Sequence, residues 1–594
     1  MNFTIAQEYL KKYYGYDSFR DGQEEAIKMV LKGEKATVIM PTGGGKSLCY
    51  QIPSLMFEGT TVVISPLISL MKDQVDALIA MGIPSTFINS TLSARETKER
   101  IHNLKQGEYK LIYIAPERLE IPSFLQELEE VNIPLVAIDE AHCISQWGHD
   151  FRPSYMKIKT LLSQLTQTPR IIALTATATE EVRKDICDQL NIPIQNCLIT
   201  GFQRPNLAFS VIKDQDRDRF LMEFTKKNQL ESGIIYCATR KETERLHKKL
   251  QQQGINCGKY HGGLSHQERK EMQEEFLQDE TLVMVATNAF GMGINKSNVR
   301  YVIHYQMPRN MESYYQEAGR AGRDGEDSQC YLLFSPQDIQ IQRFLIDSSL
   351  SQEQLKNAEL KKLQYMIDYC HTENCLHTFI MNYFGEEDHP ACGSCGNCQD
   401  NREQVEITKE AQMVLSCMLR MGERFGNTMI AHVLTGSKNK KISTFGFQSL
   451  STYGLMKGRP QKEVSRLIDY FISQGLIEVI AGKLPILKVT NSGKKVLKGE
   501  KKIYRKEALK AKEITVNDDL FENLRHLRKK LAEQEGVPPF VIFSDKTLRE
   551  LSSNQPTDLE KFLDIKGVGI QKQEKYGNLF IQCIVEYQNR ESFV

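Results

Sequence analysis

Gly43, Gly44 and Gly45, followed by Lys46 and Ser47, form a turn whose backbone NH groups can close around phosphate oxygens. The turn lies in residues 40–53, MPTGGGKSLCYQIP, directly after the apolar, β-prone run at 36–39. A helix beginning at such a turn adds roughly half a positive charge where an anion would sit. With Thr42 and the three glycines as the cradle, Lys46 is placed to reach the β and γ phosphates of ATP and Ser47 to ligate Mg²⁺. Further along, residues 135–142 read LVAIDEAH, an apolar strand that ejects Asp139 toward the same metal and Glu140 toward an attacking water. Together the two segments predict an ATPase. Met40 stands where the first glycine of G-x-x-x-x-G-K-[ST] belongs, and a glycine turn alone is also compatible with a plain connector.

A second group of residues fits the same chemistry. In QEAGRAGRDG, Gln316, Arg320 and Arg323 recur at spacings of four and three, which puts them on one side of a helix. Guanidinium groups delivered across a cleft stabilise charge building on the γ-phosphoryl, an effect of about 10³ to 10⁵ in rate. A surface cluster held in salt bridges is the competing reading.

The cysteines divide into two kinds. Of fourteen, many are single residues in apolar runs, such as Cys237 and Cys330, as expected of reduced thiols. Cys392, Cys395 and Cys398 form CGSCGNC, with Cys375 upstream on a predicted helix, and four thiolates suit tetrahedral Zn²⁺. Cys370, His371, His377 and His389 lie close enough in sequence to replace Cys375, and an iron-sulfur site is the rival chemistry. A closed four-ligand site leaves no position for substrate, so its role is structural.

These groups need a scaffold larger than one core. At 594 residues the chain predicts about three to five domains, and 41% hydrophobic with 25% charged residues is ordinary globular composition. The sequence contains no apolar window of 18 residues, and the start, MNFTIAQEYLKKYY, is unlike a signal peptide; cytoplasmic residence and no membrane contact are expected. A net charge of +1 leaves any polyanion binding to local patches. One such patch is residues 483–512, with eleven Lys or Arg against two Glu, which a solvated linker also explains.

Short β-branched runs near 36, 61, 110, 135 and 171 alternate with helical stretches and predict a parallel sheet; a second series near 233, 282, 299 and 329 predicts another. Two α/β lobes with nucleotide between them follow. Past residue 344 the chain reads as helical, then cysteine-rich, then mixed helix and short strand to about 497. A lysine-rich connector and a small helical bundle complete it, with Phe521, Leu524, Leu527 and Leu531 at helix spacing.

In order along the chain, FRDGQ at 19–23, TGGGKS, SPLISLMKDQ from Ser65, DEAH, LTATAT from Leu174, VATNAFGMGI from Val285 and QEAGRAGRDG resemble the motifs of superfamily two helicases. The segment from His142, HCISQWGHDFRPSY, resembles the aromatic-rich loop of RecQ DNA helicases, and the similarity spans essentially the whole chain. That resemblance implies an α/β multidomain protein. Residues 1–205 and 206–344 would be RecA-like lobes, 345–403 a helical zinc-binding subdomain, 404–500 a winged helix, 501–515 a basic linker and 516–594 an HRDC domain. Tyr16, Arg20 and Gln23 then look like the adenine-reading group, and Trp147, Phe151 and Arg152 like the loop that senses single-stranded DNA. Stacking of unpaired bases on aromatic faces, at about 1 to 3 kcal/mol each, supports that second assignment independently. Trp147 is the only tryptophan; a core position is the alternative, against which the polar neighbours Gly148, His149, Asp150 and Arg152 argue. Asn295 stands where the family usually carries aspartate, so an amide able to hydrogen-bond takes the place of a carboxylate contact to ribose there.

Lys457, Arg459, Lys462 and Arg466 are candidates for duplex phosphates at a winged-helix segment, and Lys566, Lys572 and Lys575 flank a GVG turn that either approaches DNA or is a solvated helix connector. The family further implies an ATP-, Mg²⁺- and Zn²⁺-using helicase that moves 3′ to 5′ and unwinds single-stranded and forked duplex DNA in recombination and repair. A compact bacterial type in the nucleoid, a monomer and a single-stranded-DNA-binding protein as partner are the accompanying expectations. An RNA-remodelling ATPase would share the motor motifs, and a non-enzymatic DNA scaffold would need a dead motor, although Lys46, Asp139, Glu140 and Arg323 are all present.

Overall fold

The computed structural model describes residues 2–148, 150–165, 167–213, 216–291, 296–349, 353–387, 389–400, 404–480, 486–506 and 519–591. Asn295, His149 and much of the predicted basic linker lie outside them.

The first sheet has seven parallel strands: β1 Ala36–Ile39, β2 Thr61–Ile64, β3 Ser85–Ile88, β4 Leu111–Ile114, β5 Leu135–Ile138, β6 Arg170–Thr175 and β7 Cys197–Ile199. Their spatial order is β3-β4-β2-β5-β6-β1-β7. Strands β1, β2, β4 and β5 are buried along their whole length, as a sheet covered by helices on both faces requires. The glycine turn leaves the carboxyl end of β1 and Asp139 follows β5, with only β6 between them. Both groups therefore emerge at the same rim, where ligands of open α/β sheets bind.

The second sheet has six parallel strands, β8 Leu207–Ile212, β9 Gly233–Tyr236, β10 Cys257–Tyr260, β11 Val283–Ala286, β12 Tyr301–His304 and β13 Ser328–Leu333, ordered β10-β11-β9-β12-β13-β8. After β12, the helix Met311–Ala318 is capped by the Asn310 side chain, which accepts from the Ser313 amide, and runs toward Arg320 and Arg323. Fold class and the two-lobe expectation agree with this architecture.

The cysteine-bearing region packs on β8, the edge strand of its sheet. His377 Nε2 contacts the Leu207 carbonyl at 2.8 Å, and the Gly396 amide donates to the Phe209 carbonyl at 2.7 Å. It also grips the connector between the lobes: Phe202 stacks on Phe384 at 4.5 Å, its amide donates to Glu386, and its carbonyl accepts from the Tyr315 hydroxyl. An edge that would otherwise be an exposed row of backbone groups is thereby covered.

Helices Thr408–Arg420, Asn427–Leu434 and Gln461–Ser473 share one core with the antiparallel hairpin Ile477–Ile480 and Ile486–Val489. Residues 504–506 pair antiparallel with 404–406, so this unit continues past residue 500. Three of the basic side chains expected at duplex phosphates are engaged here. Lys462 and Arg466 both meet Asp216 at 2.7 Å, and Arg459 meets Glu410.

The C-terminal helices lie against both lobes. Arg549 pairs with Glu326, Lys529 donates to the Asp279 carbonyl, and the Gly567 amide donates to the Gly15 carbonyl at 3.3 Å. A Cβ on Gly15 would stand 2.5 Å from the Val568 oxygen, so the GVG turn is seated on the first lobe. Of its flanking lysines, Lys572 donates to the Val541 carbonyl and Lys575 pairs with Glu535.

Candidate nucleotide site and its neighbouring aromatic loop

The three glycines of the phosphate loop meet different demands. Gly43 and Gly45 have φ of +83° and +84°, a region costly for side chains, while a Cβ on Gly44 would lie 2.6 Å from Met40 Cγ. Met40, which breaks the sequence pattern, thus packs its side chain over the middle glycine. Gln23 ties the loop down from below: its Nε2 donates to the Gly44 and Gly45 carbonyls at 3.2 and 3.1 Å, and its Oε1 accepts from the Arg20 amide. Arg20 donates to the Gly43 carbonyl. Both ends of the Gln23 amide are therefore used on the protein, whereas Tyr16 is more than one-third exposed.

Asp139 is fixed by its amide donating to the Ile64 carbonyl and its own carbonyl accepting from the Tyr155 hydroxyl. The next residue, Glu140, is held at φ 47° and ψ 48°, a left-handed conformation that costs a non-glycine residue about 1 to 3 kcal/mol. The turn directs its carboxylate toward His142, 3.4 Å away, and His142 contacts Thr175 at 2.8 Å. Burial raises the Asp139 carboxyl, with the Glu140 charge adding and Lys46 opposing. Burial lowers the Lys46 ammonium, although Glu140 and Asp139 pull it the other way. Lys46 donates to the Met40 carbonyl at 3.1 Å.

A cavity of about 420 Å³ joins the two lobes. Tyr16, Arg20, Gln23, Thr42, Gly43, Gly45, Lys46, Ser47, Asp139 and Glu140 line it from the first lobe and Gln316, Arg320 and Arg323 from the second. Arg320 donates to the Gly291 carbonyl. Burial, then the charges of Arg320 and Arg204, push the Arg323 guanidinium down to about 9. Arg204 was not among the residues singled out by motif. From the connector it donates to the Thr42 carbonyl and to the Ala321 and Gly322 carbonyls at 3.0 and 2.9 Å, so one side chain ties the phosphate loop to the arginine segment. The available signal was an arginine in the polar stretch 203–206 between the sheets. A buried group of cations with few carboxylates is costly alone and complementary to a polyphosphate. Ser47 and the Asp139 carboxylate offer hard oxygen donors in the same space, which suits Mg²⁺.

The aromatic loop touches this site from behind. A Cβ on Gly148 would lie 2.4 Å from the His142 carbonyl, so the turn carrying Trp147 presses directly on DEAH. The Arg152 amide donates to the Cys143 carbonyl, and its guanidinium holds Asp150 at 3.0 Å and the Pro66 carbonyl at 3.2 Å. Trp147 is 38% exposed, which excludes a core position. With Phe151 it faces a cleft whose other wall is the helix Glu353–His371, including exposed Tyr365.

Cys375, Cys392, Cys395 and Cys398 converge with all four sulfurs within 4.8 Å of one another. Zn–S bonds of about 2.3 Å in a tetrahedron put sulfurs about 3.8 Å apart, and two pairs stand at 4.0 Å. The amides of Leu376, Cys392 and Cys395 each donate to one of the sulfurs, as ligand thiolates require. Among the described residues, none of Cys370, His371, His377 or His389 belongs to this group.

Family profiles match the chain in five consecutive segments: DEAD/DEAH box helicase over 20–186, helicase conserved C-terminal domain over 216–325, RecQ zinc-binding over 336–399, RQC domain over 401–513 and HRDC domain over 517–584. The ATP-dependent DNA helicase RecQ of Bacillus subtilis is 58% identical over 583 residues, 98% of each chain. Its counterpart from Pasteurella multocida is 40% identical over 98% of this chain and 94% of its own. The RecQ-like DNA helicase BLM of Xenopus laevis is 34% identical over 99% of this chain and 47% of its own.

Proposed function

The chain belongs to the RecQ family of ATP-dependent DNA helicases, and from that premise we propose that it moves 3′ to 5′ along one DNA strand and unwinds forked duplexes in recombination and repair. The observation that carries the motor reading is the single cavity shared by Lys46, Asp139 and Glu140 of one lobe and Gln316, Arg320 and Arg323 of the other. A site divided this way is complete only when the lobes close.

In this reading the loop amides and Lys46 hold the phosphates of ATP, and Tyr16, Arg20 and Gln23 hold the adenine side, the Gln23 amide exchanging its bonds to the phosphate loop and the Arg20 amide for the edge of the base. Ser47 and Asp139 would hold Mg²⁺, which supplies positive charge to the β and γ oxygens. Glu140 orients the attacking water and accepts its proton. Arg320 and Arg323, with Gln316, stabilise charge on the transferring phosphoryl, and loss of the γ phosphate removes their reason to stay closed. Trp147, Phe151 and Arg152 contact the tracked strand, and each closure advances it. Cys375, Cys392, Cys395 and Cys398 would hold Zn²⁺, which would cross-link the region that grips the interlobe connector. The protein acts as a monomer in the bacterial nucleoid, beside a single-stranded-DNA-binding protein.

Strand separation on 3′-tailed, 5′-tailed and forked duplexes, with and without ATP, tests the proposal. Unwinding of 3′-tailed and forked substrates is expected; efficient unwinding confined to 5′ tails reverses the polarity. Strong activation of hydrolysis by single-stranded RNA and none by DNA overturns the substrate.

A further inference from the structure

Lys362 occupies a position that the motor motifs do not account for. It projects from the middle of the helix Glu353–His371 in the zinc-binding region, and its Nζ donates to the backbone carbonyl of Trp147 at 2.8 Å. The same ammonium lies 3.6 Å from Glu312 Oε1 and 3.4 Å from Glu359 Oε1. Glu359 in turn meets Arg309 at 2.7 Å. One charge therefore joins three pieces of the molecule: the aromatic loop of the first lobe, the zinc-binding region, and the start of the second-lobe helix Met311–Ala318.

That helix is the one that carries Gln316 and leads into Arg320 and Arg323. Glu312 is 3% exposed on its first turn, so the ammonium beside it neutralises a charge that has little access to water. The Trp147 carbonyl, by contrast, belongs to a loop whose side chain stands in an open cleft. Where a base stacked on Trp147 shifts this turn, the carbonyl moves with it, and Lys362 must then either follow it or redistribute toward Glu312 and Glu359. Either response changes the electrostatic support at the start of the arginine-bearing helix.

We propose that Lys362 is a positioning residue that couples occupancy of the aromatic loop by single-stranded DNA to the placement of Gln316, Arg320 and Arg323. The proposal rests on the reading of residues 147–152 as the DNA-sensing loop. It differs from a merely structural role, in which Lys362 only neutralises two glutamates: that role lowers stability without altering how strongly DNA stimulates hydrolysis.

The test uses the full chain and its single tryptophan. For Lys362→Met, Lys362→Arg and Glu312→Gln, ATP turnover is measured with and without a saturating oligo-dT strand, and acrylamide quenching of Trp147 emission is measured without DNA. The stimulation ratio is expected to fall about tenfold in Lys362→Met and Glu312→Gln, within the usual range of coupling between linked sites, and to be largely retained in Lys362→Arg. Quenching of Trp147 rises in Lys362→Met, because the loop loses its tether. A ratio unchanged in Lys362→Met overturns the proposal; should that variant not fold, an unchanged ratio in Glu312→Gln does so. Trp147→Ala separates the two ideas. If it keeps full stimulation, the loop assignment itself fails; if it loses stimulation while Lys362→Met keeps it, only the coupling role fails.

Discussion

The guanidinium of Arg204 donates to the carbonyl of Thr42, across the boundary between the connector and the phosphate loop. Its other terminal nitrogen reaches the Ala321 and Gly322 carbonyls, so the loop and the arginine segment share one donor. Arg204→Ala removes bonds worth about 1.5 to 3 kcal/mol each when charged donors are buried. Misplacement of the two halves by an ångström costs about a hundredfold in turnover, and that is the expected fall in steady-state hydrolysis. Arg204→Lys, with a point charge in place of a planar fork, recovers little of it. Wild-type turnover in Arg204→Ala means the tie contributes nothing to closure.

Lys46→Ala abolishes hydrolysis and spares DNA binding measured by anisotropy, because Trp147 and Phe151 face a different cleft. Arg323→Ala lowers kcat by about 10³ with a smaller change in nucleotide affinity, as expected for a group acting on the transition state. Unchanged turnover in Lys46→Ala overturns the ATP-site assignment.

Chelation of the metal at Cys375, Cys392, Cys395 and Cys398 acts at a distance, since this region holds β8 and Phe202 of the connector. Stripped protein is expected to become sensitive to proteolysis near residues 372–400 and to lose hydrolysis about tenfold. Cys395→Ser, at a fully buried position, is expected to release zinc more completely than Cys398→Ser. Zinc content by atomic absorption, set beside the cleavage pattern, checks the order.

The motor was legible because its chemistry demands residue types at fixed spacing: TGGGKS, DEAH and the arginine pair all fall on one cavity. The mostly apolar, β-branched runs marked β1, β2, β4, β5 and β6 directly. Strands β3, STFI, and β10, CGKY, are no shorter than β1 but partly polar, and tertiary pairing makes them strands where local pattern is weak. Strand β8 was hidden because its first residues adjoin the polar connector. Arg204 and Lys362 carry no motif; each acts through backbone carbonyls, which leave no mark on spacing. The GVG turn and the basic residues at 462 and 466 show the converse. Their composition suggested DNA, yet the fold turns them toward Gly15 and Asp216.

Asp216 therefore latches the helix-and-hairpin unit that carries Lys462 and Arg466 to the second lobe. It caps the helix Arg217–Lys227 and accepts from both Lys462 and Arg466, and the Lys462 hydrogen bond leads the interactions that hold its carboxyl below the usual aspartate range. The docking contribution is thus complete above the ordinary aspartate range and fades as pH falls through the lowered value. Lys462 is three-quarters exposed, so the pair is screened and worth at most about 1 kcal/mol, small enough for duplex phosphates to displace. Asp216→Asn frees both cations. If they then reach phosphate, affinity for forked DNA rises and the salt dependence of log K steepens by about 1.8, two contacts at about 0.9 each. A salt titration by fluorescence anisotropy reads this directly, and an unaltered slope means that Lys462 and Arg466 serve docking alone.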